Sequence, residues 1–166
     1  MVTKKEVDAT GIQVGSKVEI KFKLKDFRDH PDRFYVIAAT ERYLGVTDSI
    51  QTVRAAISSQ RCAYSYLDYS KIKSFKVLKK ELCPVTEKEF LDFGVKKGDR
   101  LEVIVADLAN FKSRVMGYVA RLDKNYLRFA NVWDNEANKP SNLFSSVAVP
   151  YSKIKYYIRL GTDSIE

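Results

Sequence analysis

The sequence predicts a mostly β protein made of two tandem copies of one small barrel or strongly curved sheet. Each copy has five strands behind a short helix. Three observations carry this reading. First, the chain repeats itself. Shifted by 83 residues, positions 2–44 show 11 identities in 43, where chance gives roughly one in twenty. The period exceeds the ~20–50 residues of solenoid repeats, so it marks a duplicated domain. Second, apolar and polar residues alternate with period two in segment after segment, as half-buried strands require. Third, turn residues punctuate those segments at short intervals, which favours short strands in a small curved sheet.

Each copy opens with Thr-x-x-Glu, Thr3 to Glu6 and Thr86 to Glu89. In this capping box the Thr hydroxyl takes an amide of the first turn, and the Glu reaches back to the Thr amide. A helix from Thr86 to about Phe93 follows in the second copy. Phe90, Leu91 and Phe93 form its apolar side, and Gly94 stops it. The first copy keeps the cap and Gly11 with a weaker apolar face.

Gly15 and Gly98 turn the chain into the first strand. Val18, Ile20, Phe22 and Leu24 point to one face, while Lys17, Glu19, Lys21, Lys23 and Lys25 point to the other. A loop follows over Asp26–Arg33 and contains His30-Pro31, and strands follow at Phe34–Ala39 and from Tyr43. Residues 48–60 read as a long loop. Strands at Ala63–Leu67 and Ile72–Leu78 complete the copy. The second copy repeats the order at Arg100–Leu108, Arg114–Leu122, Tyr126–Val132, Ser146–Val149 and Ile154–Leu160. Its long loop is 133–145. The domains are thus expected at 1–80 and 81–166. Units of this size bury modest cores.

The order of helix, glycine, alternating strand, bent strand and Ile-centred turn resembles the Sm-like or SH3-like small-barrel class over nearly the whole of each copy. The resemblance implies two tandem five-stranded SH3/Sm-like barrels. Sm proteins contact RNA through an Asn after the second strand and an Ile-Arg-Gly turn before the last. This chain has Tyr69-Ser70-Lys71-Ile72-Lys73, repeated as Tyr151-Ser152-Lys153-Ile154-Lys155, at the latter place. The family's RNA contacts therefore do not carry over residue by residue.

Charge separates the copies. Residues 1–80 carry 16 Lys and Arg against 9 Asp and Glu, a net +7. Residues 81–166 carry the remaining 13 against 12, a net +1, of totals of 29 and 21. A basic half suits an anionic partner. Lys21, Lys23, Arg28, Arg33, Arg54 and Arg61 are the candidate phosphate contacts, and Tyr64 and Tyr66 are candidates for stacking on unpaired bases. Lys71 and Lys73 belong to the same candidate set. The expected partner is RNA, single-stranded DNA or a nucleotide.

The second copy replaces Lys21 and Lys23 by Ile104 and Ala106. An apolar outer face of this kind points to a protein partner or a homo-oligomer. A protein-interaction, regulatory or sequestering module acting there or through the long loops is the alternative function.

No enzyme is expected. His30 is the single histidine and has Ser113 as its counterpart, and there is no P-loop or Gly-x-Gly-x-x-Gly. Cys62 and Cys83 occupy unmatched positions, which argues against a disulfide framework. No Cys/His spacing suits zinc. No cofactor or metal is expected. Neither an apolar leader segment nor a run of ~20 apolar residues is present, so a cytoplasmic protein with no membrane partner is expected.

Overall fold

A computed structural model describes residues 2–23, 32–106 and 114–162. It is mostly β, with two five-stranded antiparallel sheets and a few short helices. The chain divides into two compact units, Met1–Cys83 and Pro84–Glu166.

The first unit opens on α1 (Lys4–Ala9). Its capping box is complete: Thr3 Oγ1 accepts the Glu6 amide at 3.3 Å, and Glu6 Oε2 accepts the Thr3 amide at 2.8 Å. Gly11 and Gly15 follow at φ +70° and +92°, a region that favours glycine. Strands β1 (Lys17–Phe22), β2 (Asp32–Ala39) and β3 (Tyr43–Thr47) form a meander. Helix α2 (Ile50–Ile57), β4 (Ser65–Asp68), a 3-10 turn (Tyr69–Lys71) and β5 (Ile72–Lys79) complete the unit. The sheet order is β4-β3-β2-β1-β5.

That order forces curvature. In a flat sheet, four strand spacings of ~4.8 Å would hold β4 and β5 about 19 Å apart. They are joined by a three-residue 3-10 turn, which advances only about 6 Å. The sheet must therefore curve enough to bring the end of β4 and the start of β5 within reach of that turn. The alternation of β1 then has a simple cause: Val18 and Ile20 fall inside the curve with Val7, Val36, Leu44, Val46, Tyr69 and Ile72.

The second unit repeats this plan with α3 (Glu87–Asp92), β6 (Asp99–Val105), β7 (Arg114–Leu122), β8 (Tyr126–Asp134), β9 (Lys139–Pro150), a 3-10 turn (Tyr151–Lys153) and β10 (Ile154–Thr162). Its order, β10-β6-β7-β8-β9, matches that of the first unit. Its core is more aromatic. Phe90 of α3 is fully buried against Tyr157 and Tyr151, with ring centroids 4.4 and 5.5 Å apart. Glu89 Oε1 here accepts the Tyr157 hydroxyl at 2.8 Å.

The repeated Tyr-Ser-Lys-Ile-Lys segments form the 3-10 turns that join the edges. Tyr69, Tyr151, Ile72 and Ile154 are buried, and the Tyr69 hydroxyl donates to the Thr40 carbonyl at 2.9 Å.

Both long loops of the sequence reading are corrected. Within 48–60 the chain forms α2. Ser49 Oγ accepts the Thr52 amide at 3.3 Å as the cap, and Ile50, Val53 and Ile57 share one face. Val53 and Ile57 reach the Gly15 backbone, where an added Cβ would stand 3.4 and 3.7 Å from them. Within 133–145 the strands instead continue as a hairpin, pairing Trp133 with Pro140 and Asp134 with Lys139. Asp134 Oδ1 accepts the Glu136 and Ala137 amides at 3.0 Å, and Asn138 takes φ +50° at the tip. Among the described residues, no helix is long and apolar enough to cross a membrane.

Candidate nucleic-acid interface

Residues directly opposite each other on paired strands share a face, so register shows which side chains converge. On the outer face of the first unit, Lys79, Lys17, Tyr35 and Thr47 form one row across β5, β1, β2 and β3. The next row is Lys76, Glu19 and Arg33, and the next pairs Ser74 with Lys21. Five cations thus surround one carboxylate. Lys21, Arg33, Lys76 and Lys79 are exposed, and Lys17 is half-buried with Nζ 5.8 Å from the centre of the Tyr35 ring. Glu19 meets Arg33 at 3.4 Å, an exposed ion pair worth no more than about 1 kcal/mol. Lys79 Nζ lies 2.8 Å from Cys83 Sγ, and this contact holds its ammonium above the usual lysine range.

Lys23, Lys71 and Lys73 lie at the end of the same sheet. The Lys23 amide donates to the Lys71 carbonyl at 3.1 Å, and all three side chains are exposed. The second unit keeps this backbone bond between Ala106 and Lys153 at 2.9 Å but drops the charge at Ala106.

The tyrosines form a separate cluster on β3 and just before and within β4. Tyr43 and Tyr66 meet edge to face at 4.6 Å, and Tyr64 tilts against Tyr66 at 5.1 Å. Tyr66 is 63% exposed. Gly45 lies opposite Tyr66, and a Cβ there would stand 2.6 Å from Tyr64 Cε2. The missing side chain is what lets the Tyr64 ring lie on the strand. Burial raises the Tyr64 hydroxyl above its ordinary range, with Tyr66 and Tyr43 adding to the effect. Beside this cluster a cleft of about 480 Å³ opens where β3 runs into α2. Phe34, Val46 and Tyr64 supply apolar and aromatic walls, and Thr47, Asp48 and Ser49 supply polar ones.

Arg28 lies outside the described residues. Arg54 is corrected: it is 4% exposed on α2, and its Nη2 donates to the Cys83 carbonyl at 2.8 Å. A buried guanidinium bonded to the backbone is a fold contact, not a phosphate ligand. Arg54→Ala removes this charge-assisted hydrogen bond, at a cost of about 1.5–3 kcal/mol. Thermal denaturation should therefore register a lower Tm, while the folded variant keeps the parent's affinity for oligonucleotides. Arg61 is exposed just ahead of the tyrosine cluster.

The corresponding face of the second unit is less charged and more apolar. Ile158, Glu102 and Met116 stand where the first unit has Lys76, Glu19 and Arg33, and Tyr156, Ile104 and Arg114 form the next row. Met116 and Ile158 are 51% and 41% exposed. Glu102 and Arg114 pair at 2.7 Å, which leaves the exposed Arg100, in the place of Lys17 on a third row, as the one unbalanced cation among the described residues of these three rows. Ile104 and Ala106 are each half-buried at this face and its end.

Sequence reasoning placed Lys17 on this face without counting it among the phosphate contacts, and it missed Lys76, Lys79 and Tyr35. Alternation alone places Lys17 outward, but the β5 lysines join it only through the β1–β5 register, which contains two shifts. Comparison with protein-family models, with curated proteins and with solved structures finds no match.

Proposed function

We propose that the chain is a non-catalytic, cytoplasmic binding protein of two SH3/Sm-like small barrels, and that its first unit binds single-stranded nucleic acid or a nucleotide. The supporting observation is the convergence of Lys17, Lys21, Arg33, Lys76 and Lys79 on one sheet face around a single carboxylate. Sheets present side chains at regular spacing. A ladder of cations can therefore follow a phosphate backbone, while neighbouring tyrosines accept unpaired bases without reading their sequence. The barrel reading is supported by the identical strand orders and by edges joined through one short turn.

Electrophoretic mobility of mixed RNA and single-stranded DNA at low salt tests this function. Retardation at micromolar protein is expected. Unchanged mobility for both nucleic acids rejects it.

A second reading rests on the apolar face of the second unit. Met116, Ile158, Ile104 and Tyr156 would serve as a self-complementary patch joining two copies of the chain about a two-fold axis. Light scattering then finds a dimer that Ile158→Lys converts to a monomer. A monomeric parent protein at micromolar concentration excludes this.

A further inference from the structure

The cleft lies beside α2, and in the second unit the β8–β9 hairpin occupies the equivalent stretch of chain. At about 480 Å³ it falls within the ~300–1,000 Å³ of small-ligand sites. It combines two aromatic rings, Phe34 and Tyr64, with a polar side formed by Thr47, Asp48 and Ser49. The Thr47 hydroxyl accepts the Ser49 amide at 3.1 Å and the Ser49 hydroxyl accepts the Thr52 amide at 3.3 Å, so the polar side is braced by local bonds. Tyr64 is set by its seat over Gly45 and by Tyr66 behind it. Flat aromatic walls with a polar edge match a planar heterocycle that carries hydrogen-bonding groups on its rim.

We infer that this cleft takes one guanine base, with the Asp48 carboxylate accepting from its Watson–Crick edge. An ionised carboxylate only accepts hydrogen bonds, and its two oxygens suit two adjacent donors. Guanine offers such a pair in its ring N–H and exocyclic amino group. Adenine and cytosine offer an amino group beside an acceptor nitrogen, and uracil offers one N–H between two carbonyls. Asp48 therefore rejects those edges by setting acceptor against acceptor. The cleft also adjoins the basic face. Thr47 is the cross-strand neighbour of Tyr35, and Tyr35 of Lys17, so two strand spacings, about 10 Å, separate the cleft wall from the first cation. A guanine held here directs its phosphate along that row. This inference deepens the nucleic-acid reading and rests on it for the phosphate end.

Calorimetric titration of the full chain with GMP, IMP, AMP and UMP, run beside the mobility assay with mixed-sequence oligonucleotides, tests it. IMP is GMP without the exocyclic amino group. One GMP per chain is expected, bound at least tenfold tighter than IMP, AMP or UMP. Asp48→Asn should cost at least tenfold in GMP affinity while oligonucleotide retardation persists, since Asp48 is exposed and its loss spares the fold. Tyr64→Phe should retain binding, and Tyr64→Ala should lose it. Equal affinity for the four nucleotides, or an Asp48→Asn variant that binds GMP like the parent, overturns the guanine site and leaves the basic-face reading intact. Tight GMP binding without oligonucleotide retardation upholds the cleft and rejects the polyanion reading. Absence of both overturns both.

Discussion

Reversing Lys17 and Lys76 to Glu should lower affinity for a single-stranded oligonucleotide about a hundredfold, with Tm held to within a few degrees. Both residues stand on the outer face, Lys76 directly opposite Glu19 and Lys17 on the next row. A phosphate ~4 Å from an ammonium in water gains about 1 kcal/mol, and a carboxylate at the same place loses as much. After screening, each reversal is worth about 1–2 kcal/mol, roughly tenfold per residue. Lys76 is exposed and Lys17 only half-buried, so the fold loses little. Fluorescence anisotropy of a labelled oligonucleotide reads the affinity, and circular dichroism reads the Tm. The matched change in the second unit, Ile158→Glu, should leave affinity within about twofold, because the face it alters is already close to neutral. The double reversal changes the net charge by four and Ile158→Glu by one, so a loss from Ile158→Glu of about a quarter of the free energy, roughly threefold in affinity, would mean that net charge, and not the first unit's face, governs binding.

The second large effect concerns stability. Phe90→Ala should cost about 3–5 kcal/mol, since the ring is fully buried between Tyr151 and Tyr157. In a unit of this size that lowers Tm by on the order of 15 °C or more. The duplicate position is Val7, also fully buried, in α1. Val7→Ala removes two methyl groups at ~0.8 kcal/mol each and should cost roughly 2 kcal/mol. Thermal melts of the two variants give the comparison. A Phe90→Ala shift below about 3 °C would mean that the aromatic cluster collapses around the gap and that Phe90 is not its keystone.

These two outcomes depend on different amounts of foresight. The Thr3–Glu6 capping box, the Thr86 cap, the β1 alternation and the burial of Ile72 and Ile154 were legible because each is carried by residues a few positions apart, and the repeat was legible because its 83-residue shift runs without a gap over more than forty positions. The membership of Lys76 and Lys79 in the basic face was not, because it follows from strand pairing over more than fifty residues and from two register shifts. Helix α2 was signalled by Ser49 before Ile50, Val53 and Ile57, but its short run of β-branched residues reads equally well as strand or loop. The 133–145 hairpin hid behind an Asp-Asn-Glu-Ala-Asn turn that looked like a longer loop. Arg54 shows the limit most clearly. In sequence it is one more cation in a basic half, and only its burial against the Cys83 carbonyl removes it from the surface. The cleft was invisible for the same reason, since Phe34, Asp48 and Tyr64 come from three separate segments.

The salt dependence of oligonucleotide binding tests the central claim most directly. A single strand lying on the five cations of the first unit's outer face releases ~0.7 counterion per phosphate contact, so log K should fall against log salt with a slope of about −3.5. Between 50 and 200 mM salt that is a loss of roughly a hundredfold, and Lys17→Glu with Lys76→Glu should flatten the slope by about 1.4. A slope near zero, or one that the two reversals leave unchanged, would contradict the assignment of this face as the phosphate-binding surface.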